Sequence, residues 1–326
     1  MKRPLFLLII MTILALSACQ AGSTPTANAQ LREITFNLTY IPNVQFAPFY
    51  VAIEKGYFAE EGLQVKLNYG NEADMIALVG SGKEQFMIAS GEQVLMARAQ
   101  GLPVVSVYPW YKKFPVGVVS LKEQNIQTPQ DLKGKVIGLP GLYGASYIGF
   151  EALANYTGLS DADYTLSSIG FTQVEALVSQ TVDAAVIYLP NEPSQLRALG
   201  YEINVIAVSD YLDLVGNSLV TNEETIANDP ELVRSVVKAF YRGVKAAAEN
   251  PEEAYAICAK YVENLTEADQ AVQQAVLAES IKLWETDPLP GSQQERWENM
   301  QQVLLQLGLM SQPVDVQGAY RDAFLP

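Results

Sequence analysis

Histidine is absent from all 326 residues. That removes imidazole general bases, Ser-His-Asp triads, Cys-His pairs and HExxH zinc sites together. Cysteine is nearly absent too, with only Cys19 and Cys258 in the chain. No thiolate cluster can therefore hold a metal, and no disulfide framework can staple the fold. Positive charge is thin: 21 Lys and Arg stand against 36 Asp and Glu, a formal net charge of -15. A surface of that sign repels nucleic acid and anionic lipid, and a highly charged anionic ligand would need a local basic pocket to override it. Gly138, Gly141 and Gly144 do not have GxGxxG spacing, and no GxxxxGK[ST] loop exists, so neither nucleotide fingerprint is present. Paired carboxylates of the glycosidase kind stay open, but no stretch sets two of them convincingly in one cleft. No cofactor is expected, and no internal repeat or heptad array emerges.

What the chain does have is a globular composition, 49% hydrophobic and 17% charged, at a length that allows two domains with a core each. Lys2 and Arg3 precede an apolar run closed by small residues, the pattern of an export signal whose core is too short for a comfortable membrane span. Leu16-Ser17-Ala18-Cys19 matches a bacterial lipobox, so residues 1–19 read as a lipoprotein signal with the lipid on Cys19. The alternative is an ordinary signal peptide with an incidental cysteine. Residues 20–30, rich in Ala, Gly, Ser, Thr, Pro and Asn, read as a flexible tether. Once Cys19 is lipidated no intrachain disulfide remains, and Cys258 is expected to be a buried small hydrophobe.

The stretch from Tyr40 to Leu67 organises the rest. An alternating run over 34–39 predicts a strand, a loop follows, Pro48 suits the first turn of a short helix, and Gly56 stops it before a second alternating run over 63–67. The unit reads as strand, loop, helix, strand. Tyr40, Asn43, Gln45 and Phe46 fall just past a strand's carboxyl end, where open α/β sheets place ligands. Aromatic faces beside carboxamides suit a flat molecule with a polar edge; the competing reading is that they pack the loop. The segment Phe46 to Val65, FAPFYVAIEKGYFAEEGLQV, resembles the signature of type II solute-binding proteins of ABC importers. Within them it is closest to the group that binds thiamine-pyrimidine precursors, riboflavin, nitrate or alkylsulfonates.

Two later stretches carry the same resemblance. Thr128-Pro129-Gln130-Asp131-Leu132-Lys133-Gly134-Lys135-Val136-Ile137-Gly138 is similar to a segment near the start of the family's second lobe. Val182 to Pro193, VDAAVIYLPNEP, is similar to the family's strand-to-loop motif and makes Tyr188, Asn191 and Glu192 the main second-lobe candidates. Helix capping is the alternative role for Asn191 and Glu192.

Other candidates come from strand-to-helix turns. A helix is expected over 72–80 with Met75, Ile76, Leu78 and Val79 inward, then a strand over 86–89 and a helix over 93–100. Glu92 would sit in the turn between them, where free backbone N–H groups favour a carboxylate. Tyr108, Trp110 and Tyr111, bracketed by Pro109 and Pro115, are expected to line a cleft at a crossover between lobes. Tyr143 and Tyr147 follow the loop after the strand over 136–139, and Asn217 marks the second crossover. Long helical runs over 231–249, 251–261, 267–285 and 293–307 are expected behind the first lobe, with Trp284 and Trp297 in packing roles.

The architecture implied is α/β, of the type II periplasmic-binding-protein kind: two α/β lobes joined by a two-strand hinge. Lobe 1 would be discontinuous, residues 31–115 and 216–326, and lobe 2 would be 116–215. The resemblance implies a monomeric, lipid-anchored, extracytoplasmic binding protein that passes its solute to ABC permease and ATPase subunits and binds no nucleic acid. Riboflavin is the first expectation for that ligand, given the many aromatics, and a formylated aminopyrimidine the second. A sulfonate or nitrate binder would need Lys112, Lys113, Arg98 or Arg197 in the cleft. An enzyme of the pyrimidine-synthase or desulfinase type is the other alternative. Eukaryotic synthases of this fold work with histidine and a cysteine-rich iron motif, and this chain has neither, so binding without conversion is expected.

Overall fold

A computed structural model describes residues 31–267, 269–284, 289 and 291–326. The expected signal segment, the lipid site at Cys19 and the tether lie outside the described residues. In the first part of the chain, β1 (Arg32–Thr39), α1 (Ala47–Glu54), α2 (Tyr57–Glu60), β2 (Leu63–Gly70), α3 (Glu72–Gly80), β3 (Phe86–Ala89), α4 (Gly91–Ala99) and β4 (Val104–Pro109) alternate in order. Gly56 adopts φ +74 between α1 and α2, a conformation that a residue with a Cβ takes at a cost. The chain then crosses to β5 (Val116–Leu121), β6 (Val136–Leu139), α5 (Gly144–Tyr156), β7 (Thr165–Ser168), α6 (Gln173–Val178), β8 (Ala184–Tyr188), α7 (Glu192–Ala198) and β9 (Ile203–Ala207). It returns through β10 (Ser218–Asn222) to α8 (Glu223–Asn228), α9 (Pro230–Glu249), α10 (Pro251–Cys258), α11 (Gln270–Leu283) and α12 (Gln294–Gln306).

The strands form two five-stranded sheets, ordered β2-β1-β3-β10-β4 and β7-β6-β8-β5-β9. In each, one strand runs against its neighbours: β10 is antiparallel to β3 and β4, and β5 is antiparallel to β8 and β9. These are the two strands laid down straight after a crossing, so each enters its sheet from the edge facing the other lobe. The carboxyl ends of β1 to β4 and of β6 to β8 consequently open onto one shared cleft. The connectors are tied to each other: the backbone N–H groups of Trp110 and Tyr111 both donate to the Asn217 carbonyl, at 3.0 and 3.1 Å. A Cβ on Gly216 would lie 2.9 Å from the Lys113 carbonyl oxygen, so this approach needs glycine.

Behind the first sheet, α9 carries an apolar face that includes Leu232, Val233, Val236, Val237 and Phe240, and it packs on α1. Pro48 lies in the first turn of α1, as proline's fixed φ favours. Cys258 is buried in this core, and burial pushes its thiol up to about 12, so it packs as an apolar group. Trp284 and Trp297 are likewise buried. Thr128 and Asp131 form a capping box at the short turn before β6.

Three local expectations differ from the structure. Leu78 is only half-buried, while Met75, Ile76 and Val79 face the core. Glu92 lies inside the first turn of α4, which starts at Gly91 rather than near residue 93. Tyr108 belongs to a core and not to the cleft. Its strand carries a bulge: Leu219 pairs with Tyr108 and Val220 with Ser106, leaving Val107 between them. Regular alternation would set Tyr108 opposite Val105 and Val107, but the extra residue turns it onto their side. There it is fully buried and meets Phe240 edge-on, ring centroids 5.5 Å apart.

Candidate functional site

Between the lobes lies a cavity of about 710 Å3, within the range of about 300 to 1,000 Å3 usual for small-molecule sites. The first lobe supplies an aromatic wall. Phe46 and Trp110 have ring centroids 6.2 Å apart, and Trp110 and Tyr111 lie at 4.8 Å. Trp110 in turn stacks on Trp284 at 6.1 Å. The rings that line the cavity are thus backed by the core and lose little freedom on meeting a flat ligand.

Tyr40, at the end of β1, has φ 84, a left-handed conformation rare for a residue with a bulky side chain. Its N–H donates to the Gly70 carbonyl at 3.1 Å, and its ring meets Phe171 of the second lobe edge-on, centroids 4.9 Å apart. Burial, with the Glu192 charge adding, pushes its phenol up to about 12. Asn43 lines the cavity beside it, but its Oδ1 accepts the Gln45 N–H at 3.0 Å and caps the short turn at Val44–Phe46. The loop-packing reading therefore applies to one end of that carboxamide.

The second lobe contributes Tyr143 and Tyr147 from the start of α5, Phe171 from the loop after β7, and Tyr188, Asn191 and Glu192 from the β8 end. Glu192 is 7% exposed. Its Oε2 accepts the Tyr188 N–H at 3.0 Å, and its Oε1 accepts the Asn191 Nδ2–H at 3.2 Å. Gln195 Nε2 holds the Asn191 oxygen at 3.0 Å. Burial pushes the Glu192 carboxyl up to about 7, so near neutral pH it offers a proton donor as well as an acceptor. Such a group, next to a carboxamide, suits a ring edge that alternates N–H with C=O or ring nitrogen.

Of the residues singled out from sequence, Tyr40, Asn43, Phe46, Trp110 and Asn217 line the cavity from the first lobe and the connectors, and the five second-lobe candidates line it opposite. Tyr108 does not. Glu92 does not line it either, but lies fully buried close behind, with neither carboxyl oxygen paired among the described residues. Burial first, and then the charge of Glu72, push Glu92 up to about 8. Glu72 itself was overlooked, having been read only as the start of a helix. It lines the cavity, and its Oε1 accepts both the N–H and the Oγ–H of Ser90, at 2.6 and 2.7 Å. The clue was present in the sequence, since Asn71 and Glu72 follow the carboxyl end of β2 just as Tyr40 follows β1.

No lysine or arginine is among the described residues lining the cavity. Arg98 points elsewhere, to the Val104 carbonyl and Glu223, each at 3.0 Å, and Lys113 and Arg197 are exposed outside the cavity. Among the described residues no three His, Cys, Asp or Glu side chains gather as a metal site, and no helix is long and apolar enough to cross a membrane.

Two α/β lobes, paired connectors and an interlobe cavity at the strand ends define the periplasmic-binding-protein fold. The solved structure of a putative periplasmic sulfonate-binding protein SsuA from Methylobacillus flagellatus superposes with a TM-score of 0.70 at 20% identity, covering 90% of this chain and 93% of that one. The chain belongs to the NMT1/THI5-like family, whose model matches residues 43–254. It is 37% identical to the riboflavin-binding protein RibY of Chloroflexus aurantiacus, over 100% of this chain and 99% of that protein. It is 30% identical to a formylaminopyrimidine-binding protein of Halalkalibacterium halodurans, over 96% of each.

Proposed function

We propose that this chain is an extracytoplasmic solute-binding lipoprotein of an ABC importer, anchored through Cys19, which captures riboflavin between its lobes and delivers it to a permease. The observation that carries the reading is the interlobe cavity, with aromatic rings on its walls, buried carboxyl and carboxamide groups at its edge, and no cation among its described lining residues. The 37% identity to RibY along the whole chain supports the choice of ligand. Residues 31–115 with 216–326 would form one closing body and 116–215 the other. Ligand contacts to both would shift the population toward the closed form that the permease recognises, with the protein acting as a monomer.

A formylated aminopyrimidine is the second reading, favoured by the Asn191–Glu192 pair, whose mixed donor and acceptor character fits an aminopyrimidine edge. A sulfonate or nitrate ligand lacks the cation it would need. Conversion of a bound pyrimidine would have to proceed without histidine. Calorimetric titration with riboflavin and with formylaminopyrimidine, alongside an absorbance scan of the protein as purified, tests the assignment. A one-to-one riboflavin complex without product is expected. Turnover, or no binding of either compound, would reject the proposal.

A further inference from the structure

The Asn191–Glu192 edge is one polar end of the cavity, and a second lies near the connectors, built from different residues. Glu72 reaches it from α3, Asn217 from the returning connector and Trp110 from the outgoing one, and all three line the cavity. Two of them have polar atoms without partners among the described residues: Asn217, 9% exposed, leaves Oδ1 unpaired, and Trp110, 1% exposed, leaves Nε1–H unpaired. Unpaired buried groups are uncommon in a native fold and ask for a partner the protein itself does not supply. At Glu72, Ser90 occupies Oε1 with two hydrogen bonds, and no hydrogen bond of a described residue reaches Oε2. Glu72 and Asn217 both lie against the Tyr188 phenol, as does Tyr111, the neighbour of Trp110, so the set offers two acceptors and one N–H donor around one ring, an arrangement matched by a chain of hydroxyl groups, each of which both donates and accepts.

We infer that Glu72, Asn217 and Trp110 form a second polar subsite that takes a polyhydroxyl chain carried by the bound ring and turns away the phosphate ester of that chain. The inference rests on the flavin reading given above and deepens it, because riboflavin carries a ribityl chain whereas the aminopyrimidine does not. Selection against phosphate follows from charge. The groups facing Glu72 are Ser90 and Glu92 from the first lobe and Tyr188 from the second, whose phenol also meets Tyr111 and Asn217 of the connectors. None is a cation. Ser90 holds Glu72 as an acceptor, and a second carboxyl, Glu92, stands behind it with no hydrogen-bond partner among the described residues. Burial raises the Glu72 carboxyl while its Ser90 hydrogen bonds pull it back down; a terminal phosphate dianion would meet this acid directly and another in the next layer with no cation between them, in surroundings that screen charge poorly. The neutral vitamin meets only hydrogen-bond partners.

The test uses flavin fluorescence quenching with the full-length protein and three probes: riboflavin, lumiflavin, which keeps the isoalloxazine ring with a methyl group in place of the chain, and riboflavin 5′-phosphate. Riboflavin is expected to bind at least about tenfold more tightly than either of the others, a difference of ~1.4 kcal/mol. Glu72→Gln, which keeps the shape and removes the charge, is expected to narrow the gap between riboflavin and its phosphate. Asn217→Leu is expected to narrow the gap between riboflavin and lumiflavin, with thermal melting as the check that each variant folds; Trp110→Phe supplies a second variant should Asn217→Leu fail to fold. Equal affinity for riboflavin and lumiflavin would overturn the chain subsite, and an unchanged phosphate ratio in Glu72→Gln would overturn the charge argument. Either result would leave the flavin reading in place. Binding of none of the three flavins would overturn that reading, and this subsite with it.

Discussion

On the first-lobe wall of the cleft, Trp110 is 1% and Tyr111 5% exposed, while at the second-lobe mouth Tyr143 and Phe171 are each 64% exposed. Polar groups line both sides, with Asn43, Glu72 and Asn217 coming from the first lobe and the connectors. The second lobe holds the Asn191–Glu192 pair on the first turn of a helix, cross-braced by Tyr188 and Gln195, whereas the aromatic wall belongs to a core that runs on through Trp284 and Phe240. Under the proposed function the first lobe would serve as a packed platform and the second as a reading edge with an exposed rim. The difference teaches that one type of residue, an aromatic facing the cavity, has different consequences on the two sides. On the platform it is part of the fold, and at the rim it is only part of the closure.

The sharpest way to break that contrast is at Trp110. Trp110→Ala removes a fully buried ring that contacts Phe46, Phe49, Tyr111, Phe240 and Trp284. Loss of such a core side chain costs about 3–5 kcal/mol. Thermal melting is expected to fall sharply, with ligand binding lost as a consequence. A variant that keeps its melting temperature and loses only affinity would show that the platform is not structural.

Tyr188→Ala is the matching change on the reading edge. Tyr188 is half-buried at the end of β8, with Glu72, Glu92 and Tyr111 around its phenol. Truncation is expected to weaken ligand binding more than about tenfold, ~1.4 kcal/mol or more, while melting of the unliganded protein drops less than in Trp110→Ala. Calorimetry and melting on the same preparations check the two halves of the statement.

Much of this was legible in the chain because the strands report themselves by alternation and the helices by their caps. The runs at 136–139 and 72–80 could be bounded closely because Gly134, Thr128 and Asn71 sit where turns and caps require them. The cleft residues were legible for one reason, the position of a strand's carboxyl end. The misses have physical causes. Tyr108 follows a bulge, and a bulge depends on the partner strand β10, more than a hundred residues away in the chain. Glu72 looks like an ordinary first-turn acid, because its contact with Ser90 arises only when α3 and α4 pack together and its approach to Tyr188 only when the two lobes face each other. The sequence sets Glu92 in the turn before the helix, whereas α4 already begins at Gly91 and its rotation puts Glu92 in the layer beneath the cleft.

Protonation sharpens the comparison further, since both lobes bury an acid at the cleft. The Glu192 carboxyl is pushed up to about 7 and Glu92 up to about 8, in each case first by burial. The folded protein thus keeps these protons where the unfolded chain, with ordinary carboxyls, has released them. Stability tied to these two groups is then full below the ordinary carboxylate range and is lost as pH rises through about 7 and 8. Carboxyls held low by partners, such as Glu54 with Lys260 and Asp229 with Arg32, exert their effect at the acid end and do not oppose this trend near neutrality. Melting temperature measured from pH 5 to pH 8.5 is expected to decline, and Glu92→Gln combined with Glu192→Gln is expected to flatten the decline. A rise in melting temperature over that range would mean that these acids are ionised in the fold.

The smallest effect belongs to the rim. Tyr143 precedes α5, lines the cavity mouth and is mostly in solvent, so its ring has little packing to lose. Tyr143→Ala is expected to leave melting unchanged within about 0.5 kcal/mol, as for a surface substitution. Affinity is expected to fall by about two- to fivefold, ~0.4–1 kcal/mol, with the loss appearing mainly as faster release, because a rim residue retains a ligand once the lobes have met. Stopped-flow measurement of release from wild type and variant separates this from a change in capture rate. If Tyr143→Ala instead cost as much as Tyr188→Ala, the rim would have to be counted with the reading edge, and the division between a firm wall and a loose mouth would have to be redrawn.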